Sequence, residues 1–145
     1  MLIRSAEAIW EGNLKQGKGK MKVASGAFEG AYSFGTRFEN VPGTNPEELI
    51  GAAHAGCFSM ALSLILEQAG YKVDHIRTKA RVAIDKVGEG FKITTIDLDT
   101  EGVVPGIDEK TFKEKAEIAK KGCPVSMALT GVEIRLAAKL ERKAA

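Results

Sequence analysis

An excess of charge of one sign is missing from this chain. Its 21 basic and 19 acidic residues are spread along all 145 positions and leave a formal charge of +2. The basic doublet Lys120-Lys121 is too small a patch to mark a nucleic-acid face, so no nucleic-acid partner is expected. No secretory signal is visible at the start, where Met1-Leu2-Ile3-Arg4-Ser5-Ala6-Glu7 has no basic head and no apolar run, and a cytoplasmic protein is expected. Cysteine is scarce, with only Cys57 and Cys123. In a reducing compartment two cysteines argue against a permanent structural disulfide and leave room for a transient catalytic one. The longest apolar stretch, residues 49–66, has 18 residues, the lower limit for a membrane span. It is rich in Ala and Gly and carries His54, Ser59 and Ser63, which suits a buried core helix, so no membrane partner is expected.

Internal repeats, low-complexity tracts and linkers are absent, which points to one domain over residues 1–145. A chain of that length can bury about 70% of its extended surface. With 44% hydrophobic and 28% charged residues the balance is that of a globular protein.

The local signals predict strands, a helix, strands, a helix and a strand, an α+β fold with antiparallel pairing. A hairpin is expected from residues 2–10 through a turn at Gly12, Gly17 and Gly19 to residues 20–24. Residues 26–43 read as loop. Asn45 as cap, Pro46 at the first helical position and Glu48 three residues after the cap start a helix that runs to Glu67 and stops at Gly70. Being apolar nearly all round, this helix must be wrapped by other elements or by a partner chain. A second hairpin follows, with Ile76, Ala80, Val82 and Ile84 alternating, a turn at Gly88-Glu89-Gly90, and a phase slip near Thr94-Thr95 that predicts a bulge. Asp108 caps an amphipathic helix ended by Gly122, residues 124–129 form a short helical segment, and residues 132–140 form a last strand.

Cys57 lies within the apolar helix, where a free cysteine is often plain packing. Cys123, between Gly122 and Pro124, occupies a helix-cap position that favours a thiolate. On that ground Cys123 is the better nucleophile, and chemistry alone does not order the two thiols. With 65 residues between them they cannot be paired from sequence. If joined, the long loop would favour the oxidised form by about 4 kcal/mol. His54, three residues before Cys57, shares its helix face and suggests a cysteine–histidine hydrolase or acyltransferase. The two cysteines with His54 and His75 match no compact zinc spacing, and no metal or cofactor is expected. Arg37 and Glu47 flank the entrance to the first helix. Glu47 is about 15 Å from Cys57 along a straight helix, so the two can serve one site by a break near Gly51 or across a symmetric dimer.

These residues sit in recognisable motifs. Trp10-Glu11-Gly12, Arg37-Phe38-Glu39, the run Gly43-Thr44-Asn45-Pro46-Glu47-Glu48 continuing through Ala53-His54-Ala55-Gly56-Cys57-Phe58-Ser59-Met60, and Gly122-Cys123-Pro124-Val125-Ser126 resemble the OsmC/Ohr family of osmotically inducible and organic hydroperoxide resistance proteins. His54 and Ile50-Gly51-Ala52-Ala53 are more similar to the OsmC branch. The resemblance covers essentially the whole chain. It implies an intertwined homodimer of α+β fold, with antiparallel sheets packed around long central helices. It implies thiol-dependent reduction of organic hydroperoxides, and of hydrogen peroxide less well, with Cys57 attacking and Cys123 resolving through a Cys57–Cys123 disulfide. Arg37 would activate Cys57, Glu47 would orient Arg37, and a dithiol such as a lipoyl-bearing protein would restore the thiols. Phe34, Phe38, Phe58, Met60 and Met127 are then candidate walls for an alkyl group, each equally suited to plain core. A stress or ligand-binding protein without catalysis is the other alternative.

Overall fold

The computed structural model describes residues 1–141, which divide into two compact units with the boundary between Leu49 and Ile50. The first unit holds an antiparallel sheet in the order β1 (Ala6–Glu11), β2 (Lys18–Val23), β3 (Glu29–Tyr32), followed by the short helix α1 (Phe34–Phe38). The hairpin forms, but β1 starts at Ala6, leaving residues 2–5 outside it, and Gly19 lies inside β2 rather than in the turn. Gly19 is opposite Trp10 on one side and Tyr32 on the other. The two rings meet across it with centroids 5.4 Å apart. A Cβ there would stand 2.5 Å from the Tyr32 ring and 2.7 Å from that of Trp10, so the strand needs glycine to let the aromatics close.

Residues 26–43 are not all loop. They contain β3 and α1, and the sequence signal for each is weak. Glu29-Gly30-Ala31-Tyr32 shows no apolar alternation. Helix α1 is capped by Ser33 and Thr36, whose side chains each bond the other's backbone N–H at 3.2 and 2.9 Å. Threonine stands where a capping box has Glu or Gln.

Helix α2 (Pro46–Gln68) begins in the first unit and is the long helix of the second. The Asn45 carboxamide accepts the Glu48 N–H at 2.8 Å. At the other end Gly70, at φ +91°, turns the chain while Tyr71 N–H bonds Leu66 O and Gly70 N–H bonds Glu67 O, a Schellman motif. No break occurs at Gly51. By length and composition α2 could cross a bilayer. Its buried stripe of His54, Phe58, Leu62 and Leu66, spaced four apart, instead packs into the core of the second unit. Each of the three apolar residues contributes about 1.5–3 kcal/mol of burial. The opposite stripe, with Met60 and Leu64, is exposed.

The second sheet has the order β4 (His75–Val87), β5 (Gly90–Val103), β6 (Glu133–Leu140). Strands β4 and β5 join through a two-residue turn with Gly88 at φ +64°, the position that favours glycine in such turns. Ala83 faces Thr95 and Ile84 faces Ile93, leaving Thr94 as the extra residue. The phase slip marked this bulge. The last strand departs from expectation: β6 pairs with β5 in parallel, not antiparallel. Helices α3 (Glu109–Gly122) and α4 (Pro124–Ala128) lie between them and carry the chain back to the starting end of the sheet. Asp108 caps α3 through its bond from Thr111 N–H, and Phe112, Ala116 and Ala119 face the core.

Candidate active site

Cys123 stands at the junction of α3 and α4 and ends the one while starting the other. Its N–H closes α3 on Ala119 O at 2.9 Å, and its extended backbone lets Pro124 open α4. The sulfur takes the place of an N-cap oxygen, accepting Ser126 N–H at 3.3 Å, and the thiol donates to Ser126 Oγ at 3.2 Å. Cys123 is fully buried and Cys57, on α2, is half-buried; both are free thiols. The structure brings them together: Cys123 and the Val125 N–H both lie close enough to the Cys57 sulfur to act on its ionisation. Burial pushes the Cys57 thiol up, Val125 N–H draws it down, and neighbouring Cys123 pushes it up again, for a net rise.

His54 does not bond Cys57. Its Nε2 lies 2.7 Å from Ser126 Oγ, and its Nδ1 has no partner among the described residues. Burial holds its pKa below the ordinary histidine range. His75 is elsewhere, beside Asp74 and Glu141.

Arg37 and Glu47 come together in the first unit. Arg37 Nε and Nη2 donate to Glu47 Oε1 at 2.9 and 2.8 Å, and Nε reaches Oε2 at 3.3 Å. The fork thus converges on one oxygen instead of taking one each. The Glu47 side chain is 7% exposed and that of Arg37 35%, so the carboxylate is enclosed while the guanidinium keeps a free edge. Phe38 lies under the guanidinium, 5.1 Å from ring centroid to Cζ. Phe34 and Phe38 face each other at 5.1 Å and, with Trp10, Leu14, Tyr32 and Arg37, line a concavity of about 220 Å³.

The remaining wall candidates are scattered. Phe58 is a correction: it is enclosed in the core with Leu62 and Phe112 and presents no surface to a ligand. Met60 and Met127 are exposed. Ser126, which bonds the Cys123 sulfur, was not singled out by sequence. The signal was present in Cys123-Pro124-Val125-Ser126, where a serine three residues after a cap is placed to bond back to it.

Residues 38–137 match the family model described as OsmC-like protein. The chain belongs to the OsmC-like family. It is 54% identical over 127 residues to Peroxiredoxin OsmC of Escherichia coli (strain K12), covering 87% of this chain and 89% of that protein. It is 32% identical over 104 residues to the organic hydroperoxide resistance protein OhrB of Bacillus subtilis (strain 168), covering 70% of this chain and 74% of the relative. The crystal structure of OhrB of Bacillus subtilis superposes with a TM-score of 0.72 at 24% identity, over 94% of this chain and 98% of that one. The mixed α+β architecture is thus that of OsmC-like proteins, and the activity is of the peroxidase type.

Proposed function

We propose that this OsmC-like protein reduces organic hydroperoxides with Cys57 as the attacking thiol and Cys123 as the resolving one. The observation that carries the reading is the proximity of two free thiols that lie far apart in sequence. The Cys57 thiolate attacks the terminal peroxide oxygen, the O–O bond breaks, and the alkoxide leaves and is protonated to an alcohol. Cys57 becomes a sulfenic acid, Cys123 attacks its sulfur, and water leaves as the disulfide forms. A dithiol, such as the dihydrolipoyl group of a carrier protein, then reduces the bond. The long loop favours the oxidised form by about 4 kcal/mol, which suits a dithiol better than a single thiol as reductant. The protein is cytoplasmic and the alkyl group lies against Phe34 and Phe38.

Magnitudes decide what Arg37 does. An ordinary thiol with pKa near 8.5 is about 3% thiolate at pH 7. Lowering the pKa by two units gains about 25-fold in thiolate but loses roughly sixfold to tenfold in nucleophilicity, a net of only about 2.5-fold to fourfold. Burial already works against the Cys57 thiolate. Arg37 therefore acts chiefly on charge moving onto the peroxide oxygens, where one preorganised donor contributes about 3–4 kcal/mol, and Glu47 fixes its direction. The uninterrupted course of α2 past Gly51 favours a homodimer in which Arg37 and Glu47 of one protomer serve Cys57 of its partner. The exposed apolar stripe on α2 supports the same arrangement.

The hydrolase alternative needs His54 on Cys57, and His54 bonds Ser126 instead. One experiment tests the proposal: free thiols are counted before and after one equivalent of tert-butyl hydroperoxide, then reduced lipoamide is added. Both thiols are expected to disappear and return. No thiol loss would leave the cysteines as packing.

A further inference from the structure

A buried polar atom is bonded or costly, and each exception needs a reason. His54 is 0% exposed, is held through Nε2 alone, and leaves Nδ1 without a partner among the described residues. A leucine would fill a core position on α2 without that penalty. What the imidazole does is hold one hydroxyl. Ser126 Oγ lies 2.7 Å from His54 Nε2 and 3.2 Å from the Cys123 sulfur, while Ser126 N–H meets the same sulfur at 3.3 Å. Cys123 donates to the hydroxyl, so the serine's own hydrogen turns to Nε2 and the ring proton sits on Nδ1. The order is Cys123 S–H, Ser126 O–H, His54 Nε2.

We propose that His54 and Ser126 are positioning residues of the resolving step, holding the Cys123 sulfur against Cys57 and giving its proton an outlet. This rests on the two-thiol reading above and deepens it. As Cys123 attacks, its thiol proton passes to Ser126 Oγ and the serine proton passes to Nε2. The S–S bond forms, the S–O bond of the Cys57 sulfenic acid breaks, and hydroxide leaves. The imidazolium, disfavoured in its buried site, sheds its extra proton and the hydroxide ends as water. The sum is one sulfenic acid and one thiol giving one disulfide and one water. Peroxide cleavage precedes this step and does not use the Cys123 proton.

The test is rapid-quench trapping on the full-length protein with tert-butyl hydroperoxide, resolving sulfenic acid formation from disulfide closure by mass spectrometry. The proteins compared are wild type, Ser126→Ala, His54→Leu, His54→Gln and the double variant Ser126→Ala/His54→Leu. Closure is expected to slow about tenfold or more in Ser126→Ala and His54→Leu, with sulfenic acid formation within about twofold of wild type. The double variant closes no more slowly than Ser126→Ala alone, because both residues act through one chain of bonds. His54→Gln, whose amide can still meet the serine, closes faster than His54→Leu. If His54→Leu does not fold, Ser126→Ala and His54→Gln carry the comparison. Closure within twofold of wild type in the folded variants, or equal slowing of both phases, overturns the proposal. A wild-type protein that forms sulfenic acid and never closes a disulfide overturns the two-thiol reading as well, so the two failures are distinct.

Discussion

Arg37→Lys separates charge from geometry at the candidate site. The guanidinium sends Nε and Nη2 to one oxygen of an enclosed carboxylate at 2.9 and 2.8 Å, and that double tether fixes the direction of its free edge. A lysine keeps the positive charge beside Glu47 but holds it through a single rotatable ammonium. Because the pair keeps its charges, folding stability should fall by no more than about 1 kcal/mol, the range of a half-exposed ion pair. Catalysis should fall much further, since losing one preorganised donor costs about 3–4 kcal/mol in the transition state, or 10²–10³ in rate. Arg37→Ala differs on both counts: it strands a carboxylate that is 7% exposed. Its stability cost should be about 1–3 kcal/mol, below that of a fully buried pair because solvent reaches the arginine side. Single-turnover oxidation by tert-butyl hydroperoxide gives the rate, and urea unfolding gives the stability. Near-normal turnover in Arg37→Lys would refute the geometric role of the arginine.

Two further outcomes follow from burial. His54 has a depressed pKa in the folded protein, while the unfolded chain takes up its proton near the ordinary value of about 6.5. The unfolded state then binds more protons, so the His54 contribution is fully present above about pH 6.5 and is lost as pH falls, by up to about 1.4 kcal/mol per unit, until the native pKa is reached. His54→Gln should remove that part of the slope in urea titrations between pH 5 and pH 7, and an unchanged slope would contradict it. In Gly102→Ala a Cβ would stand 3.0 Å from two ring carbons of Phe112, itself fully buried. A cost of about 1–3 kcal/mol is expected by thermal unfolding, and an unperturbed melting temperature would show that the ring can yield.

What the sequence made legible was local. Asn45, Gly70 and Asp108 bound their helices by capping and turn chemistry that acts over three or four residues, whereas Gly122 is the last residue of α3 and Cys123 closes it. The change of parity after Ile93 marked the bulge at Thr94, because a half-buried strand must keep its apolar face inward. What escaped was set at a distance. Gly19 looks like a turn glycine until Trp10 and Tyr32 are seen to meet over it. The direction of β6 depends on the two helices before it, not on its own alternation. At the candidate site, helical spacing paired His54 with Cys57, whereas packing of α2 against α4 gave the imidazole to Ser126. The choice of Cys57 over Cys123 as the attacking thiol came from the family resemblance, since the cap argument pointed the other way.

The order of the two thiols is the point on which the chemistry turns, and trapping reads it directly. Cys123→Ser and Cys57→Ser proteins are each treated with one equivalent of cumene hydroperoxide and then with dimedone, and the adducts are located by peptide mass spectrometry. A sulfenic acid adduct is expected on Cys57 in Cys123→Ser and none in Cys57→Ser. An adduct on Cys123 in Cys57→Ser, with Cys57 unmodified in the other variant, would contradict it.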